Sequence, residues 1–230
     1  NSFEIPTDHV PHQYVSEFPI PEIGNGVIIA FSNSQCHQYN FAVREKLFPG
    51  QLTVQEGDVL MINHNNYHTY GVEMMNGEMV KVIGVNSSLL ERKNIPVYDF
   101  IAGKRVKKHV TLGFREVTIR LGNHSEDVKC LIIDSLLNSP KRDLHILELK
   151  ALYIDFVMRF KDEQEKNKQH GKPVLKVGSP EFKERLKTDR YFNAVRVKYG
   201  YAITCHKDQG GEWDTVFVDY YGRNSLADDP

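Results

Sequence analysis

VIIAFSNSQCHQYNFAVREKLFPG, residues 27–50, changes its hydrophobic period half-way. Its opening, VIIAFS at 27–32, is a continuous apolar run of strand length. That is the pattern of a strand covered on both faces, and it predicts a central parallel strand. Asn33 or Ser34 then stands where a helix cap belongs. Tyr39, Ala42, Val43 and Leu47 recur at helical spacing until the Pro-Gly pair at 49–50 stops the pattern. Strand, tight turn and helix in that order argue for an α/β fold.

Outward from this unit the texture changes. The first 26 residues carry four prolines and little periodicity, and read as a lead-in crossing a surface. From residue 51 come short alternating runs: GDVLMIN at 57–63, GEMVKVIGV at 77–85, REVTIRL at 115–121 and VKCLIID at 128–134. Asn76-Gly77 supplies a turn between the first two. Four or five short strands of this kind predict a small barrel. DLHILELKALYIDFVMRFK at 143–161 is apolar on more than one face and suits a mostly buried helix, with the charged DEQEKNKQHGKP after it as a solvated loop. SPEFKERLKTD at 179–189 is a short helix, with Ser179 as cap and Pro180 at its first position. NAVRVKYGYAIT at 193–204 and TVFVDY at 215–220 return to strand texture. The architecture expected is one parallel sheet whose two ends are split by an all-β insertion and a helical connector.

Composition narrows the class. The chain has 230 residues, 40% of them apolar and 26% charged, with a formal net charge of -1. This is an ordinary globular balance, so any nucleic-acid contact must come from local patches. No run approaches the length of a membrane helix and no basic-then-apolar leader opens the chain, so a soluble, cytoplasmic protein without membrane contact is expected. Cys36, Cys130 and Cys205 lie far apart, in no metal-ligand spacing. The chain begins with Asn and stops in the polar string GRNSLADDP, which reads as a piece of something longer.

A second stretch carries the chemistry: YAITCHKDQGGEWDTVFVDYYG, residues 201–222. A strand ending at Ile203 and restarting at Thr215 leaves the polar residues between them at a strand edge, where α/β folds gather ligands. The Thr204 hydroxyl and the N–H groups after it make a seat for a phosphate, and Lys207 adds a point charge. Gln209 donates and accepts, Gly210 and Gly211 allow close backbone approach, and Glu212 offers oxygens to a pair of sugar hydroxyls. The mixture suits a nucleotide or a nucleic-acid backbone better than it suits nucleophilic catalysis. Cys205 and His206, neighbours in sequence, diverge in direction and make a poor dyad.

YAITCHKDQGGEWDTVFVD closely resembles motif V of superfamily 1 DNA helicases of the UvrD and RecD kind, in the form T-x-H-K-x-Q-G-x-E. The 27–49 segment resembles their motif IV, with a Y-N-x-x-x-R-x-K flavour, and residues 52–85 resemble the start of the SH3-like barrel that RecD-like members insert. Residues 86–175 have only architectural support. The resemblance implies a RecA-like parallel sheet, P-loop NTPase-like but without the P-loop, interrupted by an SH3-like β-barrel. Its divisions would be 1–50 for the lead-in and first part of domain 2A, 51–135 for the barrel, 136–190 for a helical connector and 191–230 for the rest of 2A.

By the same resemblance, Thr204, His206, Lys207 and Asn33 would face single-stranded DNA, Glu212 would hold the ATP ribose, and Gln209 and Gly210 would shape the nucleotide turn. Many members carry an Arg soon after the motif IV Asn, aimed at the γ-phosphate. Here that place holds Gln35, Cys36 and His37, and Arg44 is one candidate replacement, though an Arg near a helix end is also commonly a surface residue or a dipole partner. The chain contains no GxxxxGKT loop, no acidic Walker B pair and no TRA-like motif VI. ATP and Mg2+ would therefore be seated with the first RecA-like domain of the same protein, and this chain alone is expected neither to bind them nor to unwind DNA. Two other functions stay open: the motor part of an ATP-dependent exonuclease with a nuclease partner, and a non-catalytic nucleic-acid-binding module. GKRVKKH at 103–109 reads as a solvated charge run or part of a DNA path, and Tyr67, Tyr70 and Tyr98 as core partners or base platforms. His64 and His68 lack a third ligand, so no metal is assigned.

Overall fold

The computed structural model describes residues 5–122, 127–207 and 211–219. The apolar run that begins at Val27 lies in β1 (Gly26–Ala30), buried at all five positions. It lies between β7 (Ala202–Thr204) and β8 (Thr215–Val218), parallel to both. Burial on both faces is what an uninterrupted Val-Ile-Ile run requires. The helix α2 (Asn33–Leu47) follows at once. Its cap is Ser32, one residue before Asn33 and two before Ser34, the expected candidates. The Ser32 hydroxyl accepts from the Gln35 amide at 3.2 Å while the Gln35 side chain accepts from the Ser32 amide at 3.0 Å, a reciprocal capping box. Extended backbone at Ser32 makes this possible and draws Asn33 into the first turn.

The lead-in is more ordered than its prolines suggest. It contains a helix α1 (Val10–Glu17) with Pro11 in its first turn, where a missing N–H costs nothing. Tyr14 on this helix is 2% exposed, packs edge-on against Tyr201, and donates its hydroxyl to the Gly26 carbonyl.

The second sheet is antiparallel, in the order β5-β4-β3-β2-β6, built from β2 (Val59–Ile62), β3 (Met79–Ile101), β4 (Lys104–Leu121), β5 (Val128–Ile133) and β6 (Val197–Tyr199). The barrel expected here is not closed among the described residues. A single parallel bridge, Ile132 with Val195, joins β5 to the segment before β6 without extending into a ladder. β3 and β4 are far longer than the runs read at 77–85 and 115–121. They form a ribbon that turns at Ala102 and Gly103, both at positive φ (50° and 75°). That two-residue turn matches the twist of the strands it joins.

Beyond β5 a short α3 (Asp134–Leu137) leads to α4 (Ile146–Gln169), which lays Leu147, Ala151 and Leu152 on Ile95, Val97, Leu112 and Phe114 of the ribbon. α4 continues through most of the charged stretch expected as a loop, because Glu, Gln and Lys are good helix formers. Gln164 is held there by accepting from the Leu175 amide at 2.8 Å. The α5 helix (Pro180–Thr188) is capped by Ser179, as its sequence predicts. No helix among the described residues is long and apolar enough to cross a membrane.

The two sheets are joined at Gly200. β6 belongs to the antiparallel sheet and β7, beginning two residues after Gly200, to the parallel one. A Cβ at Gly200 would lie 3.0 Å from Met79 Sδ, 3.2 Å from Val59 Cγ1 and 3.3 Å from the Leu60 carbonyl carbon, so the close approach itself demands glycine.

Candidate anion-binding cleft

Parallel pairing aligns Ala30 with Thr204, so β1 and β7 end side by side. The chain leaving β1 enters α2 and presents Asn33 and His37. The chain leaving β7 makes a tight turn in which the Lys207 amide donates to the Thr204 carbonyl at 2.8 Å. Facing these ends are Asn63 and Asn76 from the β2–β3 region and the 137–142 loop after α3. Together they bound a cleft of about 440 Å3 with Tyr199 and Lys198 also in its lining.

Four cations line it, Lys141, Arg142, Lys198 and Lys207, along with the imidazoles of His37 and His206, and among the described residues none that lines it is a carboxylate. The crowding shows in the ionisation of the group. Burial pulls Lys198 down to about 8, with Asp143 opposing. Burial also lowers Lys207, helped by the Arg142 charge. His37 is lowered by burial and by Lys198. Asp143 is engaged by Arg196 at 3.1 Å. The Lys198 ammonium donates to the carbonyls of Leu136 at 2.6 Å and Ser139 at 2.7 Å, which pins the 137–142 loop over the cleft. Lys207 reaches across to donate to the Asn76 side-chain carbonyl. An anion entering here meets positive charge with partly removed solvent, the condition in which charge-assisted hydrogen bonds are strongest.

The expected residues divide. Asn33, Thr204, His206 and Lys207 share the cleft. Gln209 and Gly210 lie outside the described residues. Glu212 is exposed and belongs to the other end of the sheet: Thr215 pairs with Gly26 at the start of β1, and the Asp214 amide donates to the Gly24 carbonyl at 2.9 Å. A five-residue strand separates the two ends by roughly 13–16 Å.

Arg44 is elsewhere again. It is 2% exposed and forms a bidentate pair with Asp58 at 2.8 and 3.0 Å. It also donates to the carbonyls of Gln51 and Thr53 and stacks over Tyr199 at 4.3 Å. Burial acts to lower its pKa, but the Asp58 pair more than restores it. In this position Arg44 braces α2 against the segment before β2, and its guanidinium is engaged by Asp58 and two backbone carbonyls. Two neighbours of Arg44 on α2 are braces too. Asn40 accepts from the Tyr201 and Ala202 amides and donates to the Ala202 carbonyl, and Tyr39 donates to Asp219 at 2.9 Å.

Sequence reasoning missed Lys198, Arg142, Asn63 and Asn76. Lys198 sits in an alternating strand run that gives no hint of a ligand, and Arg142 is brought in by α3, an element with no signal of its own. No protein-family model matches the chain, and no curated protein matches it. The cleft's chemistry and the motif resemblance are what a functional reading has to rest on.

Proposed function

We propose that the chain is the second RecA-like domain of a superfamily 1 DNA helicase or translocase, and that its cleft seats the phosphate backbone of single-stranded DNA. One observation carries this reading. The ends of the motif IV and motif V strands, from opposite ends of the chain, meet at one sheet edge in a cleft lined, among the described residues, by four cations and no carboxylate. Lys207 and the Thr204 hydroxyl would hold one phosphate and Arg142 an adjacent one, while Lys198 keeps the loop that carries Arg142 in place. Contacts of this kind supply affinity without reading bases, as a translocating motor needs.

ATP fits this chain less well. Glu212 and the cationic cleft lie at opposite ends of β1, and Arg44 is committed to Asp58. ATP supplies the free energy of translocation where a first RecA-like domain holds its phosphates and Mg2+. No described residue here is assigned to its hydrolysis. The separation of Glu212 from the cleft also favours, as a second reading, a strand-binding module without a motor.

The test is anisotropy titration of a fluorescein-labelled oligothymidylate over a range of salt. Lys207→Ala is expected to weaken binding and to lower the log–log salt slope by about 0.7, the value for one phosphate contact on a single strand. An unchanged slope would remove Lys207 from the backbone contacts. DNA-stimulated ATP hydrolysis by the intact protein, abolished by Glu212→Ala, separates the motor from the module.

A further inference from the structure

The β3–β4 ribbon carries a feature that the cleft does not explain. Its register places Tyr98 opposite Lys107, Phe100 opposite Arg105 and Pro96 opposite His109. Side chains alternate across a ribbon, so these residues share one face, and Val97, Asp99, Ile101, Lys104, Val106 and Lys108 share the other. Burial agrees with the division along the inner part of the ribbon, while toward the turn Ile101 (48%) and Val106 (37%) of the second face are exposed as well. Ile95, Val97, Leu112 and Phe114, all of the second face, are buried under α4. Tyr98 is 41% exposed and Phe100 70% exposed. Acid is confined to the second face as well, where Asp99 is paired with Lys108 at 2.7 Å. The outer face therefore combines two exposed aromatic rings with Arg105, Lys107 and His109, and from Pro96 to His109 it has no carboxylate. The Arg105 guanidinium lies over the Tyr98 ring, 3.7 Å from its centroid.

We propose that this outer face is a second binding site for single-stranded nucleic acid, in which Phe100, and Tyr98 with Arg105 stacked on it, act as platforms for successive bases while Lys107 holds the backbone. Three observations favour this occupant over a protein partner or a membrane. The charge is of one sign, as a polyanion requires. Aromatic and cationic side chains interleave across the ribbon, the pairing that sequence-tolerant single-strand binders use. Tyr98 and Phe100 are also two residues apart on one strand, about 6.8 Å, which spaces the platforms for consecutive unstacked bases rather than for a duplex. The proposal does not depend on the cleft.

The experiment uses the full chain and an oligothymidylate carrying one 2-aminopurine, whose fluorescence reports stacking. Phe100→Ala is expected to raise Kd at least about fivefold, the low end for loss of one stacked base, and to abolish most of the fluorescence change. Lys107→Ala should lower the salt slope by about 0.7 and leave much of the stacking signal. Lys104→Ala, on the opposite face, should move neither by comparison. Lys207→Ala separates the two sites, since loss in the cleft should add to loss on the ribbon. Thermal unfolding of each variant controls for folding, and the wild-type midpoint is expected because these side chains are exposed. The proposal is overturned if Phe100→Ala and Tyr98→Ala both bind within twofold of wild type. Equal effects of Lys104→Ala and Lys107→Ala, equal losses on a duplex of the same length, or no binding by the unaltered chain would overturn it as well.

Discussion

Replacing Arg44 by Met tests whether this residue holds the fold or serves a nucleotide. The Arg44 and Asp58 side chains are 3% and 0% exposed, so Met leaves a carboxylate buried without its counter-charge. Breaking a buried pair from one side costs about 3–5 kcal/mol. Asp58 would keep two donors, the Tyr201 hydroxyl and the Gln55 amide, each at 2.7 Å, which places the loss near the lower end, about 3 kcal/mol. That is a large part of the ~5–15 kcal/mol that stabilises a typical domain. With a urea m-value of about 2–3 kcal/mol/M, the unfolding midpoint should fall by about 1–1.5 M. Asp58→Asn alone should be similarly harmful, because it strands the guanidinium. The double variant Arg44→Met/Asp58→Asn removes both charges and should regain about 2 kcal/mol relative to the sum of the singles. The assay is urea unfolding followed by circular dichroism. Additive losses, or single-variant losses below about 1 kcal/mol, would refute the bracing role. A nucleotide contact would instead show as weakened ligand binding at an unchanged midpoint.

Two further outcomes follow from the cleft. Burial holds Lys198 near 8 in the folded protein against about 10.4 in an unfolded chain. Below pH 8 it is charged in both states and its burial cost is carried in full. Between pH 8 and about 10.4 the folded state has shed a proton that the unfolded chain keeps, so this group's contribution to stability rises with pH while the cleft loses a cation. Oligonucleotide affinity should therefore fall from pH 7 to pH 9 more steeply in wild type than in Lys198→Gln, and parallel profiles would exclude Lys198 as the titrating cation even though Lys207 is shifted in the same direction. Gly200→Ala forces a methyl against Met79, Val59 and the Leu60 backbone at 3.0–3.3 Å and should cost about 1–3 kcal/mol. Calorimetry should show the melting midpoint lowered by several degrees, and an unchanged midpoint would mean that the Met79 side chain gives way freely.

What could be read from the sequence depended on whether burial left a periodic mark. β1 was legible because a strand covered on both faces needs an unbroken apolar run, and α5 because Ser179 and Pro180 mark its start chemically. The outer half of the β3–β4 ribbon left no such mark, since one of its faces is solvated and carries Lys, Arg and aromatic residues in turn. VRVKYGYAIT looks like one strand and is two, in different sheets. Only the packing of Met79 and Val59 on Gly200 reveals the break, and that packing comes from residues more than a hundred positions away. Closure of the barrel was misjudged for a related reason, because strand count says nothing about whether β5 and β6 meet. At the site, Thr204, His206, Lys207 and Asn33 were found because they sit in two local motifs. Lys198 and Arg142 were not, because only the tertiary fold sets them opposite Lys207.

The same braces tie the walls of the cleft to one another. Asn40 fixes α2 to the backbone at Tyr201 and Ala202, and the Arg44–Asp58–Tyr201 cluster fixes α2 to the entrance of β2. Thus the parallel sheet carrying Asn33 and Thr204 and the antiparallel sheet carrying Asn63 and Lys198 share polar ties within a few residues of Gly200. Lys198 then extends the tie to the 137–142 loop through two backbone carbonyls. A phosphate held between Lys207 and Arg142 would meet Lys207 already anchored on Asn76, so part of the conformational entropy of that side chain is lost before binding. Asn40 and Arg44, on this account, contribute by holding the chain after Gly200 and the opposite wall of the cleft together.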